Sequence, residues 1–180
     1  MNSRAIITLL GALFLAGCRK QAAPPPMPPS AERAAPTLRD LIPTNAQPKL
    51  RTIKLWLGAE EMTAEIAATP KQIAAGMMFR TNIEPNAGML FVLPPPPDSR
   101  GFWATNCPLK LTAAFLDPSG FVLEVHDLET NPVATKSQNV QYALETSRGW
   151  FDQHHISPGM LVRTEHGSFP ETFYRKTPVR

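Results

Sequence analysis

Thr52-Ile53-Lys54-Leu55-Trp56-Leu57, then Gly58-Ala59, then a second run from Met62 to Ala68, together decide the fold. Apart from Trp56, polar and apolar residues alternate in both runs, the period of a half-buried strand. Gly58-Ala59 supplies a turn, so the pair reads as a hairpin. Toward the C-terminus, Thr69-Pro70 offers an N-cap and a proline at the first helical position, predicting a helix over Lys71–Phe79. Gly88–Leu93 predicts a short buried strand halted by Pro94–Pro97, and Phe102-Trp103 opens another that Ala113–Leu116 continues. Asp117-Pro118-Ser119-Gly120 has proline and glycine where a tight turn wants them. Phe121–Leu128 then predicts a strand with Val122, Glu124, His126 and Leu128 on one face. Residues 129–139 read as a loop, Val140–Glu145 as a strand and Trp150–His155 as one helical turn. Ser157-Pro158-Gly159 turns into a last short strand near Met160–Arg163. Many short strands, one good helix and no βαβ spacing predict an α+β domain. The expected architecture is mainly antiparallel β, a small curled barrel or half-barrel with one or two short helices, over residues 49–176. Residues 177–180 are read as a C-terminal tail.

The other end of the chain reads as an address. Arg4 precedes a largely apolar stretch from Ala5 to Leu15, too short to span a hydrocarbon core of about 30 Å. Leu15-Ala16-Gly17-Cys18 follows directly and resembles a bacterial lipobox, with small residues before the cut and a thiol to accept the lipid. Residues 1–17 are therefore expected to be a signal peptide and Cys18 a lipidation site. Two or three acyl chains, at about 0.8 kcal/mol per buried methylene, would anchor the chain durably. The expected location is the cell envelope, facing the periplasm. Arg19 after the cysteine suggests the outer membrane if the host is Gram-negative. Residues 18–48 then form a tether. Eight prolines lie between residues 19 and 48, a density that can neither feed a backbone ladder nor bury a core. A semi-rigid spacer is expected, at most about 3.1 Å per residue.

Composition narrows the remaining classes. Hydrophobic residues make up 43% and charged residues 18% of the 180, too apolar for a disordered chain. The formal charge is +3, and removing residues 1–17 leaves 17 basic against 15 acidic side chains. No Lys/Arg block suggests a nucleic-acid partner. Two cysteines cannot build a disulfide framework.

Three segments stand in a fixed order: Gly76-Met77-Met78-Phe79-Arg80; Gly88–Leu93 with Phe102-Trp103, Asn106 and Phe115-Leu116-Asp117; and Ala143-Leu144-Glu145 with Gly149-Trp150, His155-Ile156 and Gly159. Together they resemble one family, the DUF192 (UPF0127) domain. The resemblance covers roughly residues 51–163. It implies a small, mostly β domain, often exported or lipid-anchored, and brings no biochemical role with it. The chain departs from the family pattern after Trp103, where Cys107 replaces a threonine and Thr112 an aspartate. A carboxylate chemistry at that aspartate would be lost here, whereas a binding role tolerates the change.

Candidate functional residues follow. Arg80 ends the predicted helix, where a cation complements the helix dipole and can pair with Glu84 or Glu145, or can present a fork to a carboxylate or phosphate ligand. Glu145 could serve as a general base if desolvated, with Asp117, Asp127 or Asp152 as a second acid. Trp103 and Trp150 could stack on a sugar or peptide, or serve the core. The expected binding patch joins Arg80, Trp103, Asn106, Glu145 and Trp150. Cys107 lacks a neighbouring His or Lys in sequence and reads as a small buried hydrophobe. Adjacent His154 and His155 cannot converge on one metal, and no spacing expected of zinc ligands occurs. No phosphate-binding glycine loop or nucleophile elbow is present, and no metal or cofactor is expected. Two functions stay open: a non-catalytic module binding a small ligand, a glycan or an envelope protein, and a hydrolase or lyase using Arg80, Asn106 and Glu145.

Overall fold

The two alternating runs become β1 (Thr52–Leu57) and β2 (Glu60–Ala67), paired antiparallel around the Gly58 turn. The computed structural model describes residues 43–94, 101–102, 104–131 and 133–174. Cys18, the signal segment and all of the tether before residue 43 lie outside the described residues, as does Trp103.

Helix α1 (Pro70–Ala75) starts where the sequence predicts. The Thr69 hydroxyl accepts from the Gln72 amide while the Gln72 side chain returns to the Thr69 amide, a reciprocal capping box. The helix stops well before Phe79 because Gly76 takes φ 45° and ψ −132°. The chain then enters β3 (Ala87–Val92), which pairs parallel with β2. This short β–α–β crossover is a correction to the sequence reading, since its helix is much shorter than the usual crossover signal. The remaining strands are β4 (Gly101–Phe102), β5 (Leu111–Leu116), β6 (Val122–Leu128), β7 (Val133–Ala134), β8 (Tyr142–Ser147) and β9 (Val162–Thr164). Short helices α2 (Trp150–Gln153) and α3 (Phe169–Phe173) bring the number of described helices to three.

Seven strands form one sheet in the order β6-β5-β8-β3-β2-β1-β9, and β4 pairs with β7 in a separate two-stranded ribbon. The large sheet curls into a half-barrel, mainly antiparallel, as the sequence predicts. Its two edges meet at one end through the bridge Phe121–Leu161, flanked by Val122 N–H to Met160 O at 2.9 Å and Val162 N–H to Gly120 O at 2.9 Å. Curling makes the two faces unequal. The inner face holds one core, with Leu55, Met62, Leu90, Leu144 and Tyr142, closed by Trp150 and Phe151 of α2 and Phe169 of α3. The outer face holds a second core, with Met89, Phe91, Ala113, Phe115 and Ala143, covered by Ile73 and Met77 from α1 and its exit, and by Ala104, Cys107 and Leu109. Each fully buried Leu, Met or Phe contributes about 1.5–3 kcal/mol of transfer free energy, so both faces stabilise the sheet.

Two details depart from expectation. A bulge lets Leu116 oppose Val122 while Phe115 opposes Glu124. Val122 therefore points inward, whereas Glu124, His126 and Leu128 point outward, and the four do not share one face. At the N-terminal boundary, Gln47 was expected in a tether that buries nothing. Its Nε2 instead donates to Gly76 O at 2.8 Å and to Gln72 O at 3.1 Å, so packing begins before residue 49.

Candidate functional site

Residues directly opposed in a ladder point to the same face. Following the pairing across five strands gives one outer-face row: Glu65 on β2, Met89 on β3, Glu145 on β8, Ala113 on β5 and His126 on β6. Polar side chains occupy alternate strands of that row, separated by Met89 and Ala113.

At the β2 end, Arg80 forks onto Glu65, with Nη1–Oε1 and Nη2–Oε2 both 2.8 Å. The Leu50 amide donates to the same Oε2 at 2.6 Å. Arg80 is delivered there by the turn leaving α1. Gly76 and Phe79 both take positive φ, and Phe79 N–H donates to Asn106 O at 2.8 Å, with Asn106 itself at φ 52°. This is the pairing that the sequence reading missed. Arg80 bonds neither Glu84 nor Glu145, because the crossover lays the α1 exit over β2, and Glu145 lies two strands away beyond Met89.

Above this pair opens a cleft of about 520 Å³ between the outer face of β2 and the loop from Arg80 to Ala87. Thr63 and Glu65 form its floor with Gly88, Asn82 and Asn86 its far wall, and Lys49 stands at the other side. Its charges are largely matched internally. Glu65 is clamped by Arg80, Glu61 meets Lys54 Nζ at 2.7 Å, and Glu84 accepts from Asn82 Nδ2 at 2.7 Å. None of the described lining residues is aromatic.

Glu145 occupies a different environment. It is 5% exposed, and among the described residues nothing hydrogen-bonds or ion-pairs with its carboxyl. Burial raises its pKa to about 8, so it is mostly protonated at neutral pH. Cys107 is half-buried; burial first, and then the Glu145 charge, push its thiol up against the opposing effect of the Leu109 amide. A thiol so placed is a poor nucleophile.

The edge strand β6 carries a third polar group. His126 Nε2 lies 2.7 Å from Glu124 Oε2, and Glu124 also receives the amides of Lys136 and Ser137. Burial pushes the Glu124 carboxyl up, but the bonds from Ser137, His126 and Lys136 outweigh it and hold the group at about 2. It is a carboxylate fastened to a loop. Thr112, where the resemblance sets an aspartate, donates to Asp127 Oδ1 at 2.6 Å across the β5–β6 ladder. Among the described residues no three His, Cys, Asp or Glu side chains converge as a metal site.

Of the four described residues among the five expected to form one patch, Arg80 alone lines the cleft. Glu145 is sealed in the outer core, and Asn106 is exposed and contributes its backbone carbonyl. Trp150 packs in the inner core on the opposite face, 7% exposed, with Nε1 donating to Asn86 Oδ1 at 2.9 Å. It thus braces a cleft residue from behind rather than offering a stacking surface. Thr63 and Glu65 were legible as the polar positions of the second alternating run, whereas Asn82 and Asn86 carried no signal beyond that of a loop.

The order of these segments along one half-barrel is matched by a family comparison. Residues 53–164 match DUF192, described as an uncharacterized ACR. The chain belongs to the DUF192 family. The Arg80–Glu65 clamp and the sealed Glu145 fall within this DUF192 domain, as does the cleft apart from Lys49 and Thr52. Two solved structures share its fold. One is a protein of Sinorhizobium meliloti 1021 described as a candidate transcription regulator, at 23% identity and TM-score 0.60, covering 66% of this chain and 97% of that one. The other is a protein of unknown function from Novosphingobium aromaticivorans DSM 12444, at 26% identity and TM-score 0.54, covering 62% and 83%. No curated protein matches.

Proposed function

We propose that this DUF192 domain is a non-catalytic binding module of an envelope lipoprotein, held to the membrane through Cys18 and its proline-rich tether, and that the cleft over Glu65 and Arg80 receives a small polar ligand. The observation that carries the reading is the cleft itself: about 520 Å³, within the usual range for a small-molecule site, with the half-buried Arg80 already forked onto Glu65. The Thr63 hydroxyl, and the ends of the Asn82 and Asn86 amides not engaged by Glu84 and Trp150, can orient a ligand by hydrogen bonds. A glycan fits less well, because no described lining residue offers a ring to stack on. A hydrolase or lyase using Arg80, Asn106 and Glu145 is disfavoured. Glu145, the described carboxyl that burial holds protonated, lies outside the cleft, and proton transfer requires hydrogen-bond reach of the reacting group.

Filling the cleft tests the reading. Thr63 is exposed on β2 and lines the floor, so Thr63→Trp should leave the melting temperature within about 2 °C, as for a surface change of under ~0.5 kcal/mol. The variant should fail to complement a deletion strain. Full complementation by a folded Thr63→Trp protein would remove the cleft as the site.

A further inference from the structure

The root of the tether is built into the cleft wall. Gln47 Nε2 reaches the carbonyls at the end of α1, Gly76 O at 2.8 Å and Gln72 O at 3.1 Å. Three residues on, the Leu50 amide bonds Glu65 Oε2 at 2.6 Å, the same oxygen that receives Arg80 Nη2. Lys49, between these two attachment points, lines the cleft. The last carbonyls of a helix have no partner within it and need one from outside. At the C-cap of α1, Gly76 O takes a bond from the side chain of Gln47, and Gln72 O, which already accepts the Gly76 N–H at 2.9 Å, takes a second from it. Glu65 is the shared node. It ties the strap on one side to the guanidinium on the other, so the position of the strap sets where Arg80 stands.

Resting on the reading of this cleft as the ligand site, we infer that Gln47–Leu50 is a positioning strap that holds the cleft in its binding geometry and couples it to the tether. The coupling runs both ways by linkage: whatever lifts the strap weakens the site, and an occupied site holds the strap down. A spacer joined to a domain by a bare peptide bond would have no such effect. Here the tether ends on two hydrogen-bonded anchors that touch the α1 end and the Arg80 clamp.

Hydrogen exchange of the full mature protein in detergent, as wild type, Gln47→Ala and Leu50→Pro, tests this. Leu50→Pro removes the amide that reaches Glu65. The expected result in both variants is at least tenfold faster exchange of amides in residues 72–80, unchanged exchange in β5 and β6, and weakened complementation. Unchanged exchange over residues 72–80 overturns the strap, as does equal acceleration in β5 and β6, which reports global destabilisation. Complementation at the wild-type level despite locally faster exchange overturns it too. Each of these leaves the cleft reading intact, because that reading stands or falls on Thr63→Trp.

Discussion

A carboxyl set between Met89 and Ala113 has exchanged its hydration for an apolar layer, and Glu145 answers by holding its proton. The unfolded chain gives that proton up near the ordinary glutamate value, the folded chain only near 8. Between those two pH values the unfolded state binds fewer protons, so stability falls as pH rises, by about 1.4 kcal/mol per unit for this one group. Glu145→Gln keeps the shape and removes the titration. Urea unfolding at several pH values should show the variant gaining on wild type from about pH 5 to pH 8, with a difference of order 3 kcal/mol at neutral pH. Parallel pH profiles for the two proteins would show that Glu145 is solvated or paired in solution. The sequence placed Glu145 at the end of a strand among apolar residues, which was enough to single it out. It could not show that the next polar group in the row lies two strands away, because that distance is set by the sheet order.

Elements carry the same lesson about short and long range. Both strands of the first hairpin were legible because period-two alternation is a local pattern, and the start of α1 was legible because Thr69-Pro70 acts within one turn. The bulge at Leu123, the parallel β2–β3 pair and the strap were not, since each depends on what a distant segment presents. Helix α3 carries its own local signal, a capping box of Ser168 and Glu171 around Phe169-Pro170. Gly88 shows why β3 tolerates so little change. A Cβ there would stand 2.5 Å from Glu145 O on β8 and 3.0 Å from Met62 Sδ on β2. The nearest obstacle is backbone and cannot swing away. Gly88→Ala should therefore cost roughly 2–3 kcal/mol as an overpacking change, read as an earlier denaturant midpoint. A neutral result would mean that β3 and β8 can separate more readily than their ladder suggests.

For the whole molecule, the proposed anchor is the feature most open to direct measurement. On the lipoprotein proposal, Cys18→Ser should move the protein from the membrane fraction to the soluble fraction while leaving the folded domain unchanged, because an acyl anchor would supply the membrane affinity. Wild-type protein found soluble with an unmodified thiol at residue 18 would end the lipoprotein reading. The closure of the sheet bears on how such a chain reaches its destination. Strand β1 is completed on its outer side only by β9, with Leu55 beside Thr164 and Leu57 beside Val162. Phe121 likewise waits for Leu161. Pairings between segments so far apart in the chain are slow to form, on the order of milliseconds to seconds for topologies of this kind, and none of these can form until residues 161–164 are available. A chain threading N-terminus first through a narrow pore would thus be kept from closing its sheet until nearly all of it had passed, a delay written into the strand order itself.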